Sequence, residues 1–381
     1  MKKATVAAIL FLAIGWSVSP TNAFVPNGFL RVCTKAVGCF RDKLESDMDM
    51  VTHEDMTKRA ILQVANEVLR ANPNPRDSQS SQRLSDLTSL DEASLVTAYY
   101  GRSDDRKNQI FKNAVENILS ATAAVDFPSS GEDKLAAAHF DAEQFESGQN
   151  RLIALRQSVV SSIKEGDYDA ARRNSGRMFH TLQDFYSHSN WIENKNPVRN
   201  PNPVLGQPGQ RIERVASPTQ QTCTDCGGVV FYDCYNNIVE SLKDSGTLTS
   251  GYVGGTMDEN RDRIEKPVGK CSHGGLRITD SEQNLPARGG INKDTPYQMI
   301  SPHYYLHFEA ARVAQLATID MIRNLHRDVN NDQKFGEYLG VFEGGTSAER
   351  SAGSLMRSHN RNAMLQHHWN RIKGLLMLSQ K

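Results

Sequence analysis

Apolar residues recur at helical spacing along most of the chain, and the alternation expected of strands is scarce. The first such stretch, beginning near Thr52, carries Ala60, Ile61, Val64, Ala65, Val68 and Leu69 on one face. Thr52-His53-Glu54-Asp55 resembles a capping box with Asp in the fourth place, and the prolines of Asn72-Pro-Asn-Pro75 end the helix. Residues 76–90, rich in Ser, Asp and Gln, predict an exposed connection. Residues 91–125 read as helical, with Ile110, Val115 and Ile118 on an apolar stripe, and 127–131 as a turn. Further helices are expected from about 133 through 143, over 150–165 and over 168–191. Prolines and glycines then dominate, so 194–298 reads as a long irregular insertion with one short helix at 232–243. The last strong helix covers about 303–324, and Ala310, Ala311, Ala314 and Ala317 would let it pack closely. From Ser354 onward, Leu355, Met356, Met364, Leu365, Ile372 and Leu376 gather on one side of an amphipathic tail helix. The fold class is mostly α: a multi-helix domain over 24–335, then a linker and tail over 336–381.

The N-terminus changes the setting. Lys2 and Lys3 precede an apolar run over 4–18, and Thr21-Asn22-Ala23 offers small residues for cleavage before Phe24. The run is too short to span a bilayer, so residues 1–23 read as a signal peptide and the protein as secreted. The 44 acidic and 44 basic residues balance, which leaves no electrostatic argument for binding nucleic acid. The six cysteines would then meet an oxidising compartment. Cys33 and Cys39 are expected to pair. Cys223, Cys226, Cys234 and Cys271 can pair in three ways. The rival reading is a structural zinc site at Cys223-x-x-Cys226, which lacks a second closely spaced pair.

Candidate chemistry concentrates in Phe179-His180-Thr-Leu-Gln-Asp184-Phe-Tyr-Ser-His188. His180, Asp184 and His188 stand at i, i+4 and i+8, on one helix face. Two imidazoles and a carboxylate on one rigid element suit a zinc ion; the bland alternative is a solvated polar stripe. Met178, Leu182, Phe185 and Ile192 lie roughly opposite, so the ligand face is expected to line a cleft wall. His53 sits in the first turn of its helix. His139 and Asp141 are two apart and share a face only where the backbone is extended or turning. His303 and His307 form an i, i+4 pair near a helix start, with Glu309 off their face. His273 reads as a loop histidine with a structural role. The metal-ligand candidates are thus His53, His139, Asp141, His180, Asp184, His188, His303 and His307, more than one ion needs. They imply two or three metals, and nitrogen and oxygen ligands without thiolate point to zinc. Clustered metals serve phosphoester hydrolysis, with hydroxide generated on one ion near neutral pH. Asp184 and Asp141 are the candidate catalytic carboxylates, either of which would orient the water.

The run from His180 to Trp191, with Thr52-His53-Glu-Asp and His139-Phe-Asp141, resembles the N-terminal region of the von Willebrand factor A domain-containing protein 7 family. Cys223-Thr-Asp-Cys226, Lys266-Pro-Val-Gly-Lys-Cys-Ser-His-Gly-Gly275, Gly290-Ile-Asn-Lys-Asp-Thr295 and Ser301-Pro-His-Tyr-Tyr-Leu-His307 extend the resemblance over about 24–325. More distantly the chain resembles the heterokaryon incompatibility protein Het-C and zinc-dependent phospholipase C. That resemblance implies a mostly helical fold holding up to three zincs. In it His180, Asp184 and His188 match the central ligand helix, His53 the first-helix histidine, and His139 with Asp141 a further site. The four-residue step from Asp184 to His188 is shorter than in the phospholipases, and Glu309 is out of step with their closing His-x-x-x-Glu pair. No Asp-x-Ser-x-Ser motif marks a von Willebrand A domain, so the chain is expected to be the N-terminal module alone.

Three functions compete on these grounds. The first is a secreted zinc hydrolase of phosphoesters or phospholipid head groups. The second is a non-catalytic extracellular module that keeps the metal scaffold and binds a protein partner. The third is peripheral membrane contact through the tail, where Arg357, Arg361, Arg371 and Lys373 flank the apolar face.

Overall fold

The computed structural model describes residues 50–194, 200–228, 232–275, 281–298 and 300–343. The predicted leader, Cys33, Cys39 and the tail helix lie outside the described residues. The chain divides into two units, Met1–Val341 and Phe342–Lys381, and only 342–343 of the second are described. Among the described residues the structure is helical, with isolated bridges and no strand.

Helix α1 is His53–Ala71. The Thr52 hydroxyl accepts from Asp55 N at 3.2 Å and the Asp55 carboxylate from Thr52 N at 3.1 Å, so the capping box forms with Asp in the usual place of Glu. Helix α2, Ser80–Ser85, falls inside the stretch expected to be an exposed connection. Arg83 pins it, donating to Ala98 O at 2.9 Å and pairing with Asp77, while Leu84 is buried. The helical stretch expected over 91–125 consists of two helices, α3 (Glu92–Tyr100) and α4 (Asp105–Ala124). Gly101 ends α3 in the left-handed region at φ 70°, and the Asp104 carboxylate caps α4. Helix α5 is one turn, Ala136–His139; α6 is Phe145–Glu165 and α7 is Tyr168–His188. The short helix expected at 232–243 lies later, as α8 (Glu240–Ser245). Helix α9 starts four residues late, at His307, because Pro302 and a 3-10 turn at Tyr304–Leu306 precede it. It runs to Val329, ends on a left-handed Asn330, and is followed by α10 (Asp332–Leu339). The helical unit therefore continues past residue 335.

Helix α7 is the hub. It packs against α4, α6 and α9, and α1 closes over α9 and α4. Its first half presents the buried small residues Ala171, Ser175 and Gly176. A Cβ on Gly176 would sit 2.6 Å from both Ile118 O and Thr122 N, so α4 and α7 touch backbone to backbone there. Gly176→Ala is expected to wedge the two helices apart and destabilise the protein by about 1–3 kcal/mol. Thermal unfolding of the variant checks this, and an unchanged midpoint would contradict it.

The insertion is tied twice. Cys223 pairs with Cys271 across 48 residues, and Cys226 with Cys234 across 8, which selects one of the three pairings and excludes a thiolate zinc site at these cysteines. Such closures reduce the freedom of the unfolded chain and so stabilise a segment with few helices of its own. Backbone hydrogen bonds dock the insertion on the helical body: Gly251 N donates to His188 O at 3.1 Å and Ala142 N to Gly251 O at 2.8 Å. Buried Lys270 pairs with Glu143 at 2.6 Å across the same junction. No described helix is long and apolar enough to cross a membrane.

Candidate metal centre

Each element delivers its polar residue for a local reason. The capping box fixes the first turn of α1, and with it His53. The backbone contact at Gly176 brings α7 so close to α4 that His180 Nδ1 lies 3.0 Å from Thr122 O. After α5 the chain turns sharply: Phe140, Ala142 and Glu143 all take positive φ, between 53° and 58°. Such conformations cost non-glycine residues roughly 1 kcal/mol or more each and persist where surroundings enforce them. Here the Phe140 ring is fully buried against Phe145 and Phe185, and Asp141 N donates to Ala136 O at 3.1 Å. The turn is what lets His139 and Asp141, two apart in sequence, both face α7.

The result is an interior cluster. His53, His139, Asp141, His180, Asp184 and His188 are all 0% exposed. The expectation that His180, Asp184 and His188 line a cleft wall is corrected. The whole second half of α7 is enclosed, because α1 and the insertion cover the face opposite Leu182 and Phe185. Asp184 directs Oδ1 at His53 Nε2 (3.1 Å) and Oδ2 at His180 Nε2 (3.0 Å) and His139 Nδ1 (2.8 Å). Asp126 comes within 3.5 Å of His180 Nε2 and 4.0 Å of His139 Nδ1. Beyond His139, His188 Nδ1 stands 2.9 Å from Asp141 Oδ1, and His188 Nε2 stands 3.0 Å from His273 Nε2.

Proton placement follows from the outer partners. Gln183 uses its amide nitrogen on the Thr57 and Thr318 hydroxyls, so its Oε1 accepts from His53 Nδ1 at 2.7 Å. His180 Nδ1 donates to Thr122 O, and His139 Nε2 donates to Glu132 O at 3.2 Å. Each ring thus has one N–H engaged and turns its other nitrogen, a lone pair, toward Asp184 or Asp126. Lone pairs facing carboxylate oxygens repel unless a cation lies among them. Both oxygens of Asp126, both of Asp141 and Oδ1 of Asp184 are buried with no hydrogen-bond donor. This is the outer-partner pattern of metal-binding histidines. Three buried groups could hold an ion: His53/His180/Asp184, Asp126/His139/His180 and Asp141/His188/His273.

Titration reflects the crowding. Burial lowers the His180 pKa to about 3, against the pull of Asp184. Burial also opposes ionisation of Asp184, yet its contacts with His180, His53 and His139 hold it well below the carboxylate range. Asp126 is driven well above its ordinary value by burial and by the Asp184 charge.

The remaining candidates are occupied elsewhere. His303 bridges Glu193 (Nδ1, 2.6 Å) and Asn237 (Nε2, 2.8 Å). His307 donates from Nδ1 to Lys293 O and accepts from Val51 N at 3.0 Å, which fastens the entry to α1. Neither joins a metal-type group among the described residues. Three participants have no helical spacing to betray them: Asp126 at the end of α4, and His273 and Asp294 in the insertion. His273 and Asp294 do lie inside the Cys-Ser-His-Gly-Gly and Asn-Lys-Asp-Thr stretches that carry the family resemblance.

One further carboxylate supports the cluster from behind. The Glu132 side chain bridges Arg151 (2.9 Å) and Arg177, while its carbonyl holds His139. Burial raises its pKa, but the Arg177 and Arg151 contacts outweigh that and bring it to about 2. A depressed folded-state value stabilises the fold fully above the unfolded value of 4.5 and is lost as pH falls toward 2. Glu132→Gln is therefore expected to lower stability at neutral pH and to flatten the acid limb of the stability–pH curve between about 4.5 and 2. Urea unfolding at stepped pH measures it, and parallel curves for the two proteins would refute it.

Comparison with known proteins places the chain. The family described as the VWA7 N-terminal domain matches residues 90–335, which include the whole cluster except His53. The chain is 35% identical over 339 residues to von Willebrand factor A domain-containing protein 7 of Homo sapiens, covering 88% of this chain and 33% of that protein. It is likewise 35% identical over 334 residues to the Mus musculus protein of that name, covering 87% and 33%. The chain thus spans about a third of the length of these curated relatives. No solved structure matches it. With a family model matching well over half its length, the chain belongs to the VWA7 N-terminal domain family.

Proposed function

We propose that this chain is a secreted zinc-binding module whose buried His/Asp centre locks α1, α4, α5 and α7 together, and that it acts extracellularly as a non-catalytic unit. The observation that carries this reading is the set of imidazole lone pairs and donor-free carboxylate oxygens converging at 0% exposure. His53, His180, Asp184, His139 and Asp126 would hold the ions. Separations of 2.8–3.5 Å among most of the converging atoms bracket the roughly 3.3 Å edge of a tetrahedron built on Zn–N and Zn–O bonds. Nitrogen and oxygen donors without thiolate suit zinc. Complete burial supports the non-catalytic role, since structural sites are closed and catalytic ones keep an open position. The signal-type leader and the two disulfides support secretion. The relatives' name supports association with a von Willebrand A domain in the longer proteins.

A second reading, phosphoester hydrolysis, draws on Asp184, whose Oδ1 faces His53 and whose Oδ2 faces His180 and His139, so that one carboxylate could bridge two ions as in paired-metal sites. Bound zinc would supply Lewis acidity and activate water there. Asp184 is committed to three imidazoles, which leaves Asp141 as the carboxylate to orient water. The test is elemental analysis of chelator-free secreted protein beside hydrolysis assays on bis(p-nitrophenyl) phosphate and phospholipid. Zinc at two or three per chain without turnover supports the module. Turnover that tracks zinc content moves the balance to the hydrolase, and protein without zinc sinks both.

A further inference from the structure

A cavity of about 540 Å³ lies beyond the C-terminal end of α7, between the loop over 202–214 and the segment that follows α8. Its size falls in the range of small-ligand pockets. Trp191, just past α7, supplies one wall. Its indole is held in place: Nε1 donates to Asn200 O at 2.9 Å, and the Phe185 ring lies 5.7 Å away between centroids. Arg211, Glu213 and Arg214, all exposed, line another side. The loop that carries them is firmly anchored. Gln149, buried on α6, donates from Nε2 to Val204 O at 2.8 Å and to Gln210 O at 3.1 Å, and accepts from Gly206 N at 2.9 Å. Buried Arg156 donates to Gly206 O at 3.0 Å and to Gln207 Oε1 at 2.7 Å. Tyr186 OH accepts from Asn202 N at 3.0 Å. On the far side Leu248 N donates to Arg214 O at 2.6 Å and Ala216 N to Leu248 O at 2.8 Å. Arg214 takes a left-handed φ of 56°, which a non-glycine residue keeps only where its surroundings enforce it.

We propose that this cavity binds an acidic sugar, a pyranose ring carrying a carboxylate, through Trp191, Arg211, Glu213 and Arg214. The chemistry of the lining selects that class. An indole offers a flat apolar face with a polar edge, which suits the C–H face of a sugar ring. Guanidinium groups bind carboxylates through paired N–H donors. Arg211 makes no ion pair among the described residues, and Arg214 reaches only the Ser245 carbonyl, at 3.4 Å, so both are available to an anion. The Glu213 carboxylate accepts hydrogen bonds and donates none, and sugar hydroxyls are donors it can use. It also repels a doubly charged phosphate, while a wholly apolar ligand would strip water from three charged side chains. The anchored loop lowers the ordering cost of binding. Two extracellular sources share this chemistry: sialic acids that end cell-surface glycans, and uronic acids of matrix polysaccharides. Access to either rests on the secretion proposed above, whereas binding itself does not require zinc.

The test titrates the full chain, as purified, with sialyllactose, with an unsulfated chondroitin disaccharide, and with lactose as the neutral control. Tryptophan fluorescence and saturation-transfer NMR read the binding. At least one acidic sugar is expected to bind with a dissociation constant on the order of 1 mM or tighter, and lactose about tenfold more weakly or worse. Arg211→Ala is expected to weaken the acidic sugar by about tenfold or more, and Trp191→Ala to abolish the fluorescence response. Because Trp191 also packs on Phe185, the exposed Arg211 keeps the test valid should Trp191→Ala fail to fold. Preference for sialyllactose assigns the cell-surface source and preference for the disaccharide the matrix source; either supports the site. No binding of either sugar at about 10 mM would overturn the proposal. So would equal binding of lactose, displacement by an equal concentration of inorganic phosphate, or an affinity unchanged in both variants. Zinc-loaded protein that binds no acidic sugar would remove this site and leave the metal module standing; sugar binding by zinc-free protein would do the reverse.

Discussion

Asp184→Asn protein is expected to fold with its helical content intact and to lose zinc affinity at the first centre by more than about 100-fold. Even an outer-shell partner of a metal ligand typically changes affinity 10–100-fold, and Asp184 stands nearer than that. Its carboxylate faces three imidazoles at 2.8–3.1 Å and holds the only charge they share at that distance. The amide is isosteric and turns an NH2 toward lone pairs of His139 and His180, so it satisfies those rings without a cation. The variant should therefore melt at a midpoint nearly indifferent to zinc or chelator at this centre. Elemental analysis and circular dichroism on one preparation decide it. Helix retained with zinc unchanged would remove Asp184 from the ligand set, whereas global unfolding would make the residue a structural anchor.

Chelation of the wild type should have the largest effect on stability. Without cations the interior holds Asp126, Asp141 and Asp184 at no more than 2% exposure, with carboxylate oxygens lacking donors. Keeping such carboxylates buried without donors costs up to several kcal/mol, whether they stay ionised or take up a proton. An ion at 100 times its dissociation constant adds about 2.7 kcal/mol per site to the folded state. Two filled sites then shift the melting midpoint upward by roughly 10 °C or more. Calorimetric scans with zinc, with magnesium and with chelator measure the shift. Coincident zinc and chelator traces would rule out a metal-stabilised core.

Helices with a one-sided apolar stripe could be read from sequence, because burial on one face imposes the spacing: α1, α6, α7 and α9 are examples. The break at Gly101 was less visible, since apolar residues continue on both sides and only a left-handed backbone interrupts them. Helix α2 was hidden because a few tertiary contacts, chiefly Arg83 with Asp77 and Ala98, hold five polar residues and the buried Leu84 in a helix. At the site, His180, Asp184 and His188 were legible as one helical face. Their depth was not, because it depends on α1 and an insertion more than 80 residues downstream in the case of His273. Asp126, His273 and Asp294 come from a helix end and two turns, where side-chain direction follows from tertiary fold and leaves no period to read. His303 and His307 illustrate the converse: ideal i, i+4 spacing serves hydrogen bonds to Glu193 and to the Lys293 carbonyl.

Enclosure of the His/Asp cluster also sets a clock. His53 reaches its partner Gln183 across 130 residues of chain, and no ligand of the first centre lies on the surface. Under the proposed zinc reading an ion would reach these ligands when the elements around them open, so its exchange would follow local unfolding. Loading then belongs to the folding step itself. On the same reading, a molecule that closed without an ion, or around the wrong one, would keep that state for as long as the helices stayed shut.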